Sequence, residues 1–392
     1  FVLNRLKVAH GIIPLKNTLN QFWGSVAALA TGFSVGKEGP SVHLGAACSS
    51  YIGSLLNLPY NSIRTLCACG IAAGIAATFN TPIAAVIFVM EVILRDYKIH
   101  IFIPVMLAAT VGSLITSSIF GSVHELEFFQ KIALELIHYP YLVLLGIVLG
   151  FLGFIFNRYL ILIIKHSKQL HIITRLMLAA LITGSLGIFV PAAMGTGLAG
   201  IEFSLTNPSM FTLLLVLLAA KLFMTISALG LGIPGGIIGP IVGIGAIAGV
   251  CFSAALLPVI SSENLANDFA LMGMAGFLAA TLNAPLTALL TVMELSRQIE
   301  IITPAMIVIT VACLVSGQFL KNRSVITMQL SIQDLIYKKP PIERALQKIG
   351  SLAVLQEKFT LLNATDTNMG KSDDDKIAIA EQYLSAQKGT QQ

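Results

Sequence analysis

The chain has 392 residues, 56% hydrophobic and only 11% charged, with a mean hydropathy of +0.85. Soluble domains carry roughly 25% charged residues, so the composition excludes a soluble globular protein and identifies a polytopic membrane protein. The net charge of +5 sits in short connections and near the C-terminus, not in a basic stripe with interleaved aromatics, which excludes nucleic-acid binding.

Phe1 is not an initiator Met, and Arg5, Lys7 and Lys16 precede no short apolar stretch with a cleavage site. No signal peptide is expected, and the chain is read as starting within a longer protein. The first charged motif is Gly36-Lys37-Glu38-Gly39-Pro40, between two apolar runs where charge is costly. Uncharged runs follow over 65–90, 99–123, 176–201, 222–262, 269–293 and 301–320, with further apolar stretches near 41–60, 139–164 and 203–220. Several exceed the ~20 residues that span a bilayer. The run 222–262 contains Pro234 and many glycines and cannot be one straight helix, so a broken or re-entrant helix is expected there.

Two segments repeat without gaps. Gly70 to Glu91 reads GIAAGIAATFNTPIAAVIFVME, and Gly273 to Glu294 reads GMAGFLAATLNAPLTALLTVME, with Asn-x-Pro and the terminal Glu in register. The Gly36–Pro40 motif precedes the first copy by about the interval that separates Gly236-Ile237-Ile238-Gly239-Pro240 from the second. Duplicated halves meeting at a midplane site of interrupted helices are a transporter and channel plan, so an inverted repeat is expected. Beyond about residue 340 the composition turns polar. Residues 341–392 read as a peripheral cytoplasmic tail, with a surface helix allowed over 376–387, attached to a transmembrane domain over 1–340. Lys321, Arg323, Lys338, Lys339 and Arg344 after the last span favour a cytoplasmic C-terminus.

Glycine lets backbone amides approach a ligand, and a helix starting at that point aims its free N–H groups and positive dipole end outward. Pro40 and Pro240 then sit early in a helix at no hydrogen-bond cost. Two such ends converging from opposite halves can hold a desolvated anion without a full positive charge, which suits passage. Glu38 would compete for the same position and act as a gate. The plainer alternatives are a surface turn with a solvated Lys37–Glu38 pair, and close helix packing by the glycines of the second motif. Glu91 and Glu294 read as helix-end residues paired to Arg95 and Arg297. His43 reads as a packing histidine. Cys48, Cys67, Cys69, Cys251 and Cys313 show no metal-ligand spacing, so no metal or cofactor is expected. No catalytic constellation points to an enzyme.

The two glycine-rich motifs and the Phe79-Asn80-Thr81-Pro82 run ending in Glu91 together resemble the ClC chloride channel and transporter family over residues 1 to about 335. The resemblance implies an all-α membrane protein with an inverted repeat of tilted and broken helices. It also implies a homodimer in the bacterial inner membrane with one anion path per subunit. Glu38 matches the gating glutamate. The N–H groups of Ile237 and Ile238 match those facing a central anion, and those of Lys37, Glu38 and Gly39 an outer one. Gly36, Pro40, Gly236, Gly239 and Pro240 complete the motifs, with Ile238 where Phe is common. The family's Ser-bearing anion segment would fall before Phe1. Proton-coupled members carry a second glutamate where this chain has Val92, and a central-site tyrosine where it has Ile326. The paired regulatory domains of many eukaryotic members are missing. The expectation is a Glu38-gated chloride channel in the lipid bilayer, with chloride/proton antiport or transport of nitrate or fluoride as alternatives.

Overall fold

The computed structural model describes residues 2–8, 11–121, 129–256 and 265–332. The polar tail, with its expected helix at 376–387, lies outside them.

In the first half, α1 (Val2–Val8) and α2 (Leu15–Ala30) lead to α3 (Glu38–Leu55), α4 (Tyr60–Phe79), α5 (Pro82–Phe88) and α6 (Ile99–Phe120). The second half comprises α7 (Tyr139–Ser167), α8 (Ile172–Phe189), α9 (Leu198–Thr206), α10 (Phe211–Leu231), α11 (Ile238–Leu256), α12 (Leu265–Leu282), α13 (Pro285–Ser296), α14 (Ile302–Cys313) and α15 (Val325–Ile332). Among the described residues, eight helical segments are long and apolar enough to cross a membrane. This is the all-α multi-pass architecture expected from composition.

Helix breaks fall where the backbone chemistry asks for them. The uncharged run 65–90 is not one span: α4 ends at Asn80 in the left-handed region (φ 54°), and Pro82 opens α5. The second copy breaks the same way at Asn283 (φ 51°), with Pro285 opening α13. Asparagine tolerates this conformation, and a proline shortly after it cannot continue the preceding helix. The run 222–262 breaks after Gly232 (φ 91°), between α10 and α11.

The halves pack alike. α3 lies against α4 and α11 against α12; α4 also contacts α5 and α6, as α12 contacts α13 and α14. Glycines set both crossings. A Cβ on Gly45 would strike the Gly70 carbonyl, and one on Gly245 would strike that of Gly273. Close packing by small residues, weighed for the second motif alone, thus holds one turn further along in both copies.

The ends of the repeats interlock. Glu294 accepts from the N–H groups of Ile83 (3.0 Å) and Ala84 (2.7 Å) at the start of α5, while Glu91 accepts from those of Leu286 (3.3 Å) and Thr287 (2.7 Å) at the start of α13. This corrects the expected pairing with Arg95 and Arg297. Arg95 instead donates to the Thr327 hydroxyl. A helix start offers orphan donors that a carboxylate satisfies, and the helix dipole adds to the attraction. Such reciprocity between equivalent residues requires a local two-fold relation between the halves, as an inverted repeat provides.

Candidate anion site

The two glycine motifs meet. Gly36 and Gly236 form an isolated antiparallel bridge, each N–H donating to the other's carbonyl at 2.8 and 2.7 Å. The bridge brings together the N-terminal ends of α3, beginning at Glu38, and α11, beginning at Ile238. Pro40 and Pro240 each occupy the third position of their helix, where the missing N–H costs nothing.

Glu38 is 2% exposed, and its carboxylate crosses to the other half. Oε1 accepts from the N–H groups of Ile238 (2.5 Å) and Gly239 (3.2 Å). Oε2 is buried with no hydrogen-bond partner among the described residues. The surface-turn reading of Gly36–Pro40 is therefore overturned: Glu38 lies inside the protein at a helix N-terminus, where an anion is favoured. The glycines make this possible, since a Cβ on Gly36 or Gly236 would occupy the carboxylate's space, and one on Gly39 would strike the Gly235–Gly236 backbone.

Lys37 stands beside the carboxylate, its Nζ 5.7 Å from the Phe79 ring centroid, within cation–π range. A cavity of about 40 Å³ adjoins Glu38, bounded by Lys37, Phe79, Thr196, Leu198, Val242 and Thr291 among others. A second void of about 10 Å³ shares Phe79, Ile238 and Thr291 and extends to Thr81 and Thr287. The carboxylate thus occupies the point where backbone N–H groups face a small, mostly apolar cavity.

Of the sequence-derived residues, Gly36, Lys37, Glu38, Gly39, Gly236, Ile238 and Gly239 converge here, and Ile237 immediately precedes α11. Val92 is buried in the π-helical turn Val89–Leu94, and Ile326 packs in the first turn of α15. Neither lines the cavity at Glu38 or the second void. His43 faces a different cavity, with Asn17, Asn20 and Gln21. The cavity threonines carry no sequence signal, because single hydroxyls in apolar helices form no motif. Thr287 and Thr291 do sit four residues apart in the second repeat, a spacing that sets them on one helix face.

Residues 2–317 match the protein family described as voltage gated chloride channel. The chain is 30% identical over 326 residues to an H(+)/Cl(-) exchange transporter ClcA of Vibrio parahaemolyticus, covering 78% of this chain and 68% of the relative. It is 29% identical over 321 residues to a protein of Ralstonia nicotianae named as ClcB-like after a chloride channel, covering 78% and 73%. Among solved structures, a slow cyanobacterial Cl-/H+ antiporter superposes with a TM-score of 0.76 at 22% identity, covering 85% of this chain and 81% of that one. A CLC-type fluoride/proton antiporter gives 0.70 at 24% identity, covering 83% and 80%.

Proposed function

The chain belongs to the voltage gated chloride channel family, and we propose that it moves chloride across the membrane in exchange for protons, with Glu38 alternating between the anion's position and proton carriage. The observation that carries this reading is the Glu38 carboxylate seated on the Ile238 and Gly239 amides. These donors suit any compact anion, so a chloride arriving there must displace the carboxylate. Oε2, which has no hydrogen bond to lose, is the oxygen that takes up a proton. A neutral carboxyl group holds the amides less strongly than a carboxylate does. Protonation therefore releases the side chain and vacates the site for chloride, and loss of the proton brings it back. One group then serves both ions in turn, which is what exchange needs. The naming of the Vibrio relative as an H(+)/Cl(-) exchange transporter supports this reading over a simple gated channel.

A second reading, passive Glu38-gated conductance, is favoured by Val92 and Ile326, whose side chains cannot hold a proton or donate to an anion. Simultaneous chloride and proton fluxes from liposomes, under a chloride gradient and no pH gradient, separate the two. Proton movement driven by the chloride gradient supports exchange, and chloride flux without it supports conductance. Competition by nitrate and fluoride in the same assay tests the substrate. A homodimer in a bacterial inner membrane, with the C-terminus in the cytoplasm, completes the reading.

A further inference from the structure

Lys221 lies halfway along α10 with no exposure to solvent. Its Nζ donates to the carbonyl oxygens of Ala193 (3.0 Å), Met194 (3.4 Å) and Gly195 (2.7 Å), in the turn that leads into α9. Among the described residues no carboxylate pairs with it. A buried ammonium balanced only by carbonyl dipoles is costly, and inside a membrane protein such a charge marks function more often than packing.

The turn that Lys221 holds touches both halves of the anion site. The Gly195 N–H donates to the Gly32 carbonyl (3.1 Å), in the segment that runs into Gly36 and Glu38. The next residues, Thr196 and Gly197, line the cavity beside Glu38, and Gly197 packs directly on the Gly243 backbone of α11. One turn further along α10, the Thr225 hydroxyl pairs with that of Ser34 at 2.8 Å, just ahead of Gly36. Through Lys221 and Thr225, α10 therefore grips the lead-in to α9 and the lead-in to α3 together.

We propose that Lys221 is a positioning and selectivity residue for the transported anion. Its side-chain amine fixes the Ala193–Gly195 turn, and the turn sets the cavity wall at Thr196 and Gly197. This rests on the chloride path at Glu38 proposed above.

The test reconstitutes the parent protein, Lys221→Met and Lys221→Arg in liposomes and reads initial chloride flux against chloride concentration, together with the chloride-to-nitrate rate ratio. Lys221→Met is expected to raise the half-saturating chloride concentration about tenfold and to shift the ratio toward nitrate, the more weakly hydrated ion. Lys221→Arg is expected to restore both. A purely structural lysine would reduce the yield of folded protein and leave both quantities unchanged in what remains, which would overturn the proposal. So would Lys221→Arg being as impaired as Lys221→Met. A parent protein without chloride flux would overturn the path itself, a distinct result. Should Lys221→Met fail to fold, Gly195→Ala decides. Its Cβ meets nothing within 4 Å, but its φ of +66° strains the turn. A several-fold rise in half-saturating chloride at normal yield supports the proposal, and a parental value overturns it.

Discussion

Glu91 accepts hydrogen bonds from both the backbone N–H (2.7 Å) and the hydroxyl (2.6 Å) of Thr287, in the other half of the molecule. With the matching contacts of Glu294 on α5, this makes each repeat supply the N-terminal cap of the other's broken helix. The caps differ in one respect. Thr287 adds a side-chain donor, whereas the corresponding position under Glu294 is Ala84. Glu294→Gln leaves two amides facing a group with one acceptor oxygen and no charge, and a destabilisation of about 1–3 kcal/mol is expected. Glu91→Gln is expected to cost about 1 kcal/mol more than that, because a third hydrogen bond weakens. Thermal unfolding in detergent ranks the two variants, and an equal or reversed order contradicts the cap assignment.

Gly236→Ala and Gly36→Ala each place a methyl group where the Glu38 carboxylate lies. Overpacking of this kind costs about 1–3 kcal/mol, and the least constrained neighbour to move is the carboxylate itself. Both variants are expected to lose much of the pH dependence of chloride flux while still folding. Gly184 in α8 has open space around its Cβ position, so Gly184→Ala should leave flux and its pH response unchanged and gain a few tenths of a kcal/mol to about 1 kcal/mol from helix propensity. Parental pH dependence in both motif variants would mean that the carboxylate does not need the space those glycines leave.

Much of this architecture is legible in the amino-acid sequence. The repeat shows in the paired Asn-x-Pro and terminal Glu, and the candidate site shows in two glycine motifs at similar distances before the copies. Composition is enough for the membrane class. What the sequence does not show is pairing across the two halves. Glu91 and Glu294 stand next to arginines in sequence, and local electrostatics favours those neighbours. The open amides of α13 and α5 attract the carboxylates more strongly, yet they become neighbours only after the halves fold together. Asn80 and Asn283 likewise sit inside uncharged runs that hydropathy counts as continuous, although their left-handed backbone ends the helix. Lys221 is visible only as one cation between apolar stretches, because its partners are carbonyls and carbonyls leave no trace in a sequence.

Val92 is 2% exposed and lines neither the cavity at Glu38 nor the second void. Val92→Glu therefore buries a carboxyl group with no partner provided for it, at a cost of about 1–3 kcal/mol or more. Chloride-to-proton stoichiometry is expected to stay at the parental value while Ile326 remains, and the unfolding temperature is expected to fall. A large gain in proton coupling from this single change, measured by paired flux electrodes, would place the proton route through position 92.

Protonation of Glu38 gives the sign of the pH response. A proton on Oε2 weakens the hold of Oε1 on Ile238 and Gly239, so chloride flux in the parent is expected to rise as pH falls and a larger fraction of Glu38 becomes neutral. Glu38→Gln removes the charge at every pH. The amide also turns an NH₂ group, a donor, into a site built from donors, so one of its two orientations is repelled outright. The variant is expected to carry chloride at a rate that no longer changes with pH where the parent's does. Proton movement driven by a chloride gradient is expected to vanish in the same preparation, since no group at the site can then carry the proton. Chloride flux that keeps its parental pH slope in Glu38→Gln would mean that another residue senses the proton, and the gate would have to be sought elsewhere.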